Sequence, residues 1–101
     1  DKTDLKLRLH KRYERNRKLA EKAKAIHGYA CCVCGFHFEK RYGPLGKEYI
    51  EAHHKTPFHL LPKNVTLSAK DDFVTVCSNC HRMLHRSDQQ MGTEDLKALL
   101  Q

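Results

Sequence analysis

Apolar residues recur at helical spacing through the first quarter of the chain. They lie three, four or seven residues apart, with basic side chains between them: Leu5, Leu9, Tyr13, Ala20, Ala23 and Ile26. Residues so spaced share one face of a helix, so the pattern predicts one long amphipathic helix. Gly28 is a natural residue to end it, because glycine readily adopts the left-handed conformation that follows many helices.

Two short segments have the composition of β-strands. Residues 49–53 resemble a strand that stops before Pro57, and residues 73–76 are apolar and β-branched. Between the first helix and the first strand, a cluster of turn-forming residues predicts a loop: Gly35, Gly43, Pro44 and Gly46. Residues 55–71 contain further turn-forming residues, and they predict a long connection between the strands.

A second helix is predicted directly after the second strand. Ser78 or Asn79 is suited to the N-cap position, and the helix would continue through Arg86. In this helix His81 and His85 are four residues apart, so their side chains would share one face.

A last short helix is predicted from Thr93, as N-cap, through Leu100, with acidic residues in its first turn.

The expected architecture is a single small α+β domain over residues 1–101. It divides into a basic N-terminal helix (1–28), a central core (29–87) and a C-terminal tail with a helix (88–101). A chain that opens on Asp suggests a piece of a longer protein.

Four of the five cysteines form two Cys-x-x-Cys pairs, Cys31 with Cys34 and Cys77 with Cys80. Four thiolates suit a closed tetrahedral Zn²⁺ site, and a structural metal helps so small a domain to fold. The alternative is a set of disulfides in a secreted protein. The odd cysteine count, the Cys-x-x-Cys spacing and the lack of an apolar signal stretch favour zinc. Cys32 is expected to point away from the metal.

The chain has a formal net charge of +7, and most of the excess lies in residues 1–24, which hold ten Lys/Arg and four acids. Such a block favours a polyanion, most commonly a nucleic acid, and the alternative is a solvated helix face. Contacts with phosphates are expected from five residues: Arg8, Lys11, Arg12, Arg15 and Lys18. The chain has no run of about twenty apolar residues, so no membrane span is predicted, and a cytoplasmic location is expected.

Two segments with paired histidines resemble a known nuclease motif. Residues 51–57 (EAHHKTP) and 72–85 (DFVTVCSNCHRMLH) resemble the HNH motif of the ββα-metal (His-Me finger) superfamily. Both cysteine pairs, the segments 31–36 (CCVCGF) and 41–43 (RYG), and the basic helix before them are similar to McrA-type, modification-dependent restriction endonucleases. The resemblance implies a small zinc-stabilised ββα-metal fold.

The resemblance also implies a role for each histidine of the motif. His53 and His81 would bind a catalytic divalent ion, and His85 corresponds to a further helix ligand in colicin-type nucleases. His54 would be the general base, and Glu51 would orient catalytic groups. The residues alone leave alternatives: neighbouring histidines in a strand point to opposite faces, so one of the pair could simply pack, and His81 could be a spare zinc ligand.

Asp72 stands where the family name places an asparagine, nine residues before His81. The resemblance implies that this residue bonds backbone across the hairpin and holds the base. An aspartate accepts such bonds but has no amide to donate.

The resemblance implies a metal-dependent DNA endonuclease, the cleavage domain of a restriction enzyme acting on modified DNA. The catalytic ion would be Mg²⁺, Mn²⁺, Ni²⁺ or Co²⁺, and histidine ligands favour the last three. Two other functions remain open: a non-catalytic zinc-ribbon module that binds DNA, and a zinc-dependent protein-interaction module. A homodimer, which a concerted double-strand break would need, is compatible with the sequence.

Overall fold

The computed structural model describes residues 2–56, 60, 62, 65–87 and 91–101, and in the first helix its side chains are described at residue 14 and from residue 16 onward. The chain is a small α+β protein. Its elements are the helix α1 (Lys2–His27), the helix α2 (Phe38–Tyr42) with a 3₁₀ turn (Gly43–Gly46), the strands β1 (Glu51–His54) and β2 (Phe73–Val76), and the helices α3 (Ser78–Arg86) and α4 (Thr93–Leu99). The order β1, β2, α3 confirms the expected ββα arrangement.

The two strands form an antiparallel hairpin in which Glu51 pairs with Val76 and His54 pairs with Phe73. Successive side chains of a strand point to opposite faces, so β1 presents its residues alternately to two sides. His53 lies on the side of α3, with its ring 5.3 Å from that of His81. His54 lies on the other side, which α1 covers.

The helix α1 packs through small residues against this second side. Ala23 and Phe73 are fully buried there, and Leu19, Ala20 and Ala52 pack around them. The C-terminus of α1 is held by a contact of 2.9 Å between a ring nitrogen of His27 and the backbone carbonyl of Lys70. In the described part of the chain, no helix combines the length and the apolar character that crossing a membrane requires.

A second apolar cluster lies on the α3 side of the hairpin. It consists of buried residues from the first cysteine pair, β2, α3 and α4: Cys31, Val33, Val76, Cys77, Cys80, Leu84 and Leu96. The hairpin therefore separates two small cores. One is closed by α1, and the other is closed by α3 and α4. Two strands alone bury too little surface to be stable, so both faces need such cover.

Two of the expected boundaries are confirmed, and two are wrong. Gly28 follows α1 with φ +89°, and β2 has the predicted residues. The strand β1 begins at Glu51 rather than Tyr49, because Glu48 has φ 58° and lies in a turn, and the Tyr49 N–H bonds the carbonyl of Gly46 instead of pairing with β2. The loop expected near residues 35–46 contains α2 and the 3₁₀ turn instead.

The helix caps also differ from the expectation. Cys77, and neither Ser78 nor Asn79, is the N-cap of α3, where its sulfur accepts a hydrogen bond from the Cys80 N–H. Gly92 precedes α4, and its N–H bonds the Asp95 carboxylate. In both helices the N-cap lies one residue before the first side chain that composition favours, Ser78 in α3 and Thr93 in α4.

The spacing wrongly predicts that Ile26 shares the buried face of α1. Ile26 is 54% exposed, whereas Leu19, which the spacing omitted, packs against the core. The C-terminal turn of α1 therefore leaves the hairpin earlier than a regular stripe implies. The expectation for Leu5, Leu9 and Tyr13 concerns side chains outside the described residues.

Substitution of Phe73 by alanine is expected to lower the free energy of unfolding by about 3–5 kcal/mol, because it leaves a cavity between β2 and α1. Urea unfolding of the zinc-loaded protein measures the change. The matched control is Leu45→Ala, since Leu45 is 89% exposed and an exposed side chain should change stability by no more than about 0.5 kcal/mol. Equal effects of the two substitutions would contradict this description of the core.

Candidate functional site

The two cysteine pairs come together at one end of α3. The sulfurs of Cys31, Cys34, Cys77 and Cys80 all lie within 4.8 Å of one another. The sulfur atoms of Cys34 and Cys77 are 3.7 Å apart, close to the edge of about 3.8 Å for a tetrahedron with Zn–S bonds near 2.3 Å. The four thiols therefore fit a structural zinc ion.

Backbone N–H groups favour the thiolate form of Cys31, which is the form that binds metal, whereas burial raises the pKa of Cys77 and of Cys80. The sulfur of Cys31 accepts hydrogen bonds from the N–H groups of Val33 and Cys34, at 3.4 and 3.5 Å. Burial opposes the charge of Cys31, but such bonds outweigh it and lower its pKa to about 7. Cys32 is exposed and lies outside the cluster.

A second cluster joins His53 of β1 to His81 and His85 of α3. The three offer nitrogen atoms within 4.8 Å of one another. The ring centroids of His53 and His85 are 5.1 Å apart, and those of His81 and His85 are 4.9 Å apart. The helical spacing of four residues turns both α3 imidazoles toward the strand.

His53 has the chemistry that a metal ligand requires. Among the described residues, its Nδ1 atom is the one buried side-chain nitrogen or oxygen with no hydrogen-bond partner. Burial, helped by the neighbouring His81, lowers the pKa of His53 to about 4. The ring is therefore neutral at physiological pH, and a neutral imidazole is the form that binds a metal ion.

Glu51 contacts His81 from the face of β1 that also carries His53. Its carboxylate lies 2.8 Å from the Nδ1 atom of His81, and it accepts hydrogen bonds from the hydroxyls of Ser78 at 2.7 Å and Tyr49 at 3.2 Å. Burial opposes ionisation of Glu51, but these hydrogen bonds prevail and lower its pKa. A carboxylate on Nδ1 makes Nε2 the nitrogen that His81 can offer to a metal.

His54, on the opposite face of β1, lies between the sheet and α1. Its ring centroid is 4.5 Å from that of Phe73, and its Nε2 atom lies 3.5 Å from the amide oxygen of Asn16 on α1. Burial lowers the pKa of His54, the charge of His81 adds to this effect, and Asp72 opposes it. At physiological pH the ring is neutral and can accept a proton.

Asp72 lies at the base of the hairpin, where its backbone and side chain have different partners. Its backbone carbonyl accepts a hydrogen bond across the hairpin from the Lys55 N–H, at 2.9 Å. Its carboxylate accepts one from the Ser68 N–H, at 2.6 Å, in the connection before β2. The side chain thus organises the connection, and the bond across the hairpin comes from the main chain.

A family model described as HNH endonuclease matches residues 31–87, which include both cysteine pairs and all four histidines of the second cluster and the β1 pair. The chain belongs to this family. No curated protein and no solved structure matches it. The HNH match begins after α1 and ends before α4, so the helix that contacts His54 lies outside the matched region.

Sequence reasoning missed three side chains that support the HNH residues: Asn16, Tyr49 and Ser78. Tyr49 was detectable, because residues two apart in an extended segment share a side and Tyr49 precedes Glu51 by two. Ser78 was noted only as a possible cap, whereas its hydroxyl bonds Glu51. Asn16 is a lone polar residue in a basic helix, and the only signal for it is its helical spacing of four from Ala20.

The residues expected to contact DNA are described only in part. Lys18 is exposed on α1, next to the exposed Arg17 and Lys22. The side chains of Arg8, Lys11, Arg12 and Arg15 lie outside the described residues, so their placement stays a prediction.

The cysteine cluster predicts that Cys77→Ser lowers zinc affinity by more than about 100-fold, since even the loss of an outer partner of a ligand costs 10–100-fold. The substitution removes one sulfur ligand and changes the N-cap of α3. Competition with a coloured chelator measures the affinity, and cobalt substitution reports thiolate ligation by its absorption.

The matched control is Cys32→Ser, which alters an exposed thiol beside the same cluster. It should leave the metal content and the cobalt spectrum unchanged. If Cys32→Ser weakened zinc binding as much as Cys77→Ser, the assignment of the four ligands would be wrong.

Proposed function

We propose that this HNH domain is a metal-dependent DNA endonuclease with His54 as its general base. The observation that carries the proposal is the pairing of two histidines on adjacent residues of β1. One, His53, belongs to the histidine cluster and has a buried nitrogen without a hydrogen-bond partner, and the next, His54, is half-buried, with its pKa lowered by burial. A ligand and a base on opposite faces of one strand provide two of the functions that phosphodiester hydrolysis requires.

The protein's own groups have distinct tasks in the proposed reaction. His54 accepts the proton of the attacking water. Glu51 holds His81 so that its Nε2 atom faces the cluster, and His53, His81 and His85 would hold a divalent ion. Such an ion supplies a Lewis acid for the scissile phosphate and the leaving 3′ oxygen. The expected products carry 5′-phosphate and 3′-hydroxyl ends.

The two clusters are proposed to take different metals. Four thiolates saturate Zn²⁺ and leave no position for substrate, so the cysteine site would be structural. Three imidazoles leave coordination positions open, and they favour Mn²⁺, Co²⁺ or Ni²⁺ over the oxygen-preferring Mg²⁺. His81 then belongs to the histidine site rather than to zinc, in keeping with its contact with Glu51.

The biological setting is also part of the proposal. Residues 1–101 would form one domain, with a basic helix (1–28), a catalytic core (29–87) and a C-terminal tail (88–101), inside a longer McrA-type restriction enzyme that cuts modified DNA. The basic residues of α1, with Lys18 among them, would contact phosphates without reading sequence. Cleavage of both strands would require a homodimer.

The deciding experiment is cleavage of supercoiled plasmid by the zinc-loaded domain with Mg²⁺, Mn²⁺, Ni²⁺ or EDTA. Nicking is expected with a divalent ion and not with EDTA. His54→Ala should lower the nicking rate by about 10²–10⁴-fold, the usual effect of losing a general base, and should leave DNA affinity unchanged. His37→Ala, at the start of α2 and outside both clusters, is the matched control.

Two results would contradict the proposal. Nicking by His54→Ala at the rate of His37→Ala would show that His54 is not the base. Intact plasmid with every ion, together with DNA binding that weakens steeply with salt, would support the non-catalytic DNA-binding module instead. DNA binding that is weak and insensitive to salt would favour the protein-interaction module.

Glu51→Ala is expected to weaken binding of Mn²⁺ or Ni²⁺ to the histidine cluster by about 10–100-fold, the usual effect of losing the carboxylate behind a histidine ligand. Calorimetric titration of the zinc-loaded domain measures this affinity without DNA. Glu39→Ala removes an exposed acid at the start of α2 and should leave it unchanged. An unaltered affinity in Glu51→Ala would remove Glu51 from the metal site.

A further inference from the structure

The helix α1 reaches the proposed base directly. Asn16 lies four residues before Ala20, on the side of α1 that packs against the hairpin, and it is half-buried. Small alanines at positions 20 and 23 let the helix backbone approach the sheet closely. This approach brings the amide oxygen of Asn16 to 3.5 Å from the Nε2 atom of His54.

Two contacts from different elements restrict the His54 ring. Phe73 packs on the ring at a centroid distance of 4.5 Å, which limits its tilt. Asn16 contacts the ring edge at Nε2, which limits its rotation. Both His54 and Asn16 are half-buried, and a hydrogen bond shielded from water is stronger than an exposed one.

We infer that Asn16 is a positioning residue for His54, an inference that rests on the proposed nuclease function. Its amide oxygen accepts the Nε2–H of the neutral ring, which fixes the ring orientation and selects the tautomer with the proton on Nε2. The lone pair that takes the water's proton then lies on Nδ1. The effectiveness of a general base depends strongly on its position, because misplacement by about 1 Å can lower the rate by a factor on the order of 10².

The Asp72 side chain, whose charge also acts on His54, has a different task. The Asp72 carboxylate accepts a strong hydrogen bond from the Ser68 N–H, at 2.6 Å, in the connection before β2. The charge of Asp72 only opposes the lowering of the His54 pKa that burial causes. Asn16 differs because its contact reaches a ring nitrogen of His54. The helix α1 therefore contributes to the reaction as well as to DNA binding.

The first test compares Asn16→Ala, Asn16→Asp and the control Glu21→Ala, an exposed change on the same helix. For Asn16→Ala, kcat should fall by about 10- to 100-fold, with KM, DNA affinity and the cobalt spectrum of the cysteine site unchanged. Asn16→Asp should retain most of the activity, since a carboxylate also accepts the Nε2–H. Unchanged kcat in Asn16→Ala would overturn the inference, and so would a loss of DNA affinity or of the cobalt spectrum that matched the loss of kcat.

The two replacements also test the direction of the hydrogen bond. If the Asn16 amide nitrogen instead donated to His54, Asn16→Asp would be as inactive as Asn16→Ala, and the assigned tautomer would be wrong. Activity in Asn16→Asp well above that of Asn16→Ala supports the amide oxygen as the acceptor.

A second test needs no cleavage activity. In the zinc-loaded protein at a pH where imidazole is neutral, ¹⁵N chemical shifts of labelled histidine distinguish a protonated nitrogen from one with a lone pair. His54 should show the Nε2–H tautomer in the unsubstituted protein and a mixture of tautomers in Asn16→Ala, with His37 unchanged as an internal control. An inactive protein with this tautomer shift would reject the nuclease proposal alone, and the absence of any shift would reject the role of Asn16.

Discussion

The cluster of four cysteine sulfurs is the constraint on which the rest of the structure depends. It joins the turn at Cys31–Cys34 to the first residues of α3, although 42 residues separate the two pairs. The histidines of α3 can face β1 only if the start of that helix is fixed relative to the hairpin. A metal held by these sulfurs would thus stabilise the fold and, through α3, set the distance between His53 and its two partners.

The hairpin adds a second constraint, which is the alternation of side chains along β1. Glu51 and His53 face α3, and Ala52 and His54 face α1, so each side of a four-residue strand has its own helix and its own chemistry. One side brings together nitrogen atoms around a carboxylate-oriented imidazole. The other holds a neutral imidazole between an aromatic ring and an amide. The neighbouring residues His53 and His54 can therefore have different chemical surroundings without competing for the same space.

Much of the architecture could be predicted because the signals are local. The Cys-x-x-Cys spacing, the β-branched strand at residues 73–76 and the glycine after α1 each depend on a few neighbouring residues. The caps could not be predicted, because Cys77 takes the N-cap role through a sulfur that the cluster also positions. The exposure of Ile26 and the contact of Asn16 depend on where α1 leaves and meets the hairpin. That is a tertiary property, and periodicity along one helix does not contain it.

The packing of Ala23 against Phe73 has a consequence for engineering this nuclease family into fusions. The matched region starts at residue 31, and a chimaera joined there would retain every cysteine and histidine of the two clusters. It would also strip the cover from a completely buried phenylalanine and present that apolar surface to solvent, inviting aggregation. The natural junction for a transplanted domain therefore lies upstream of α1, even though that helix contributes none of the motif.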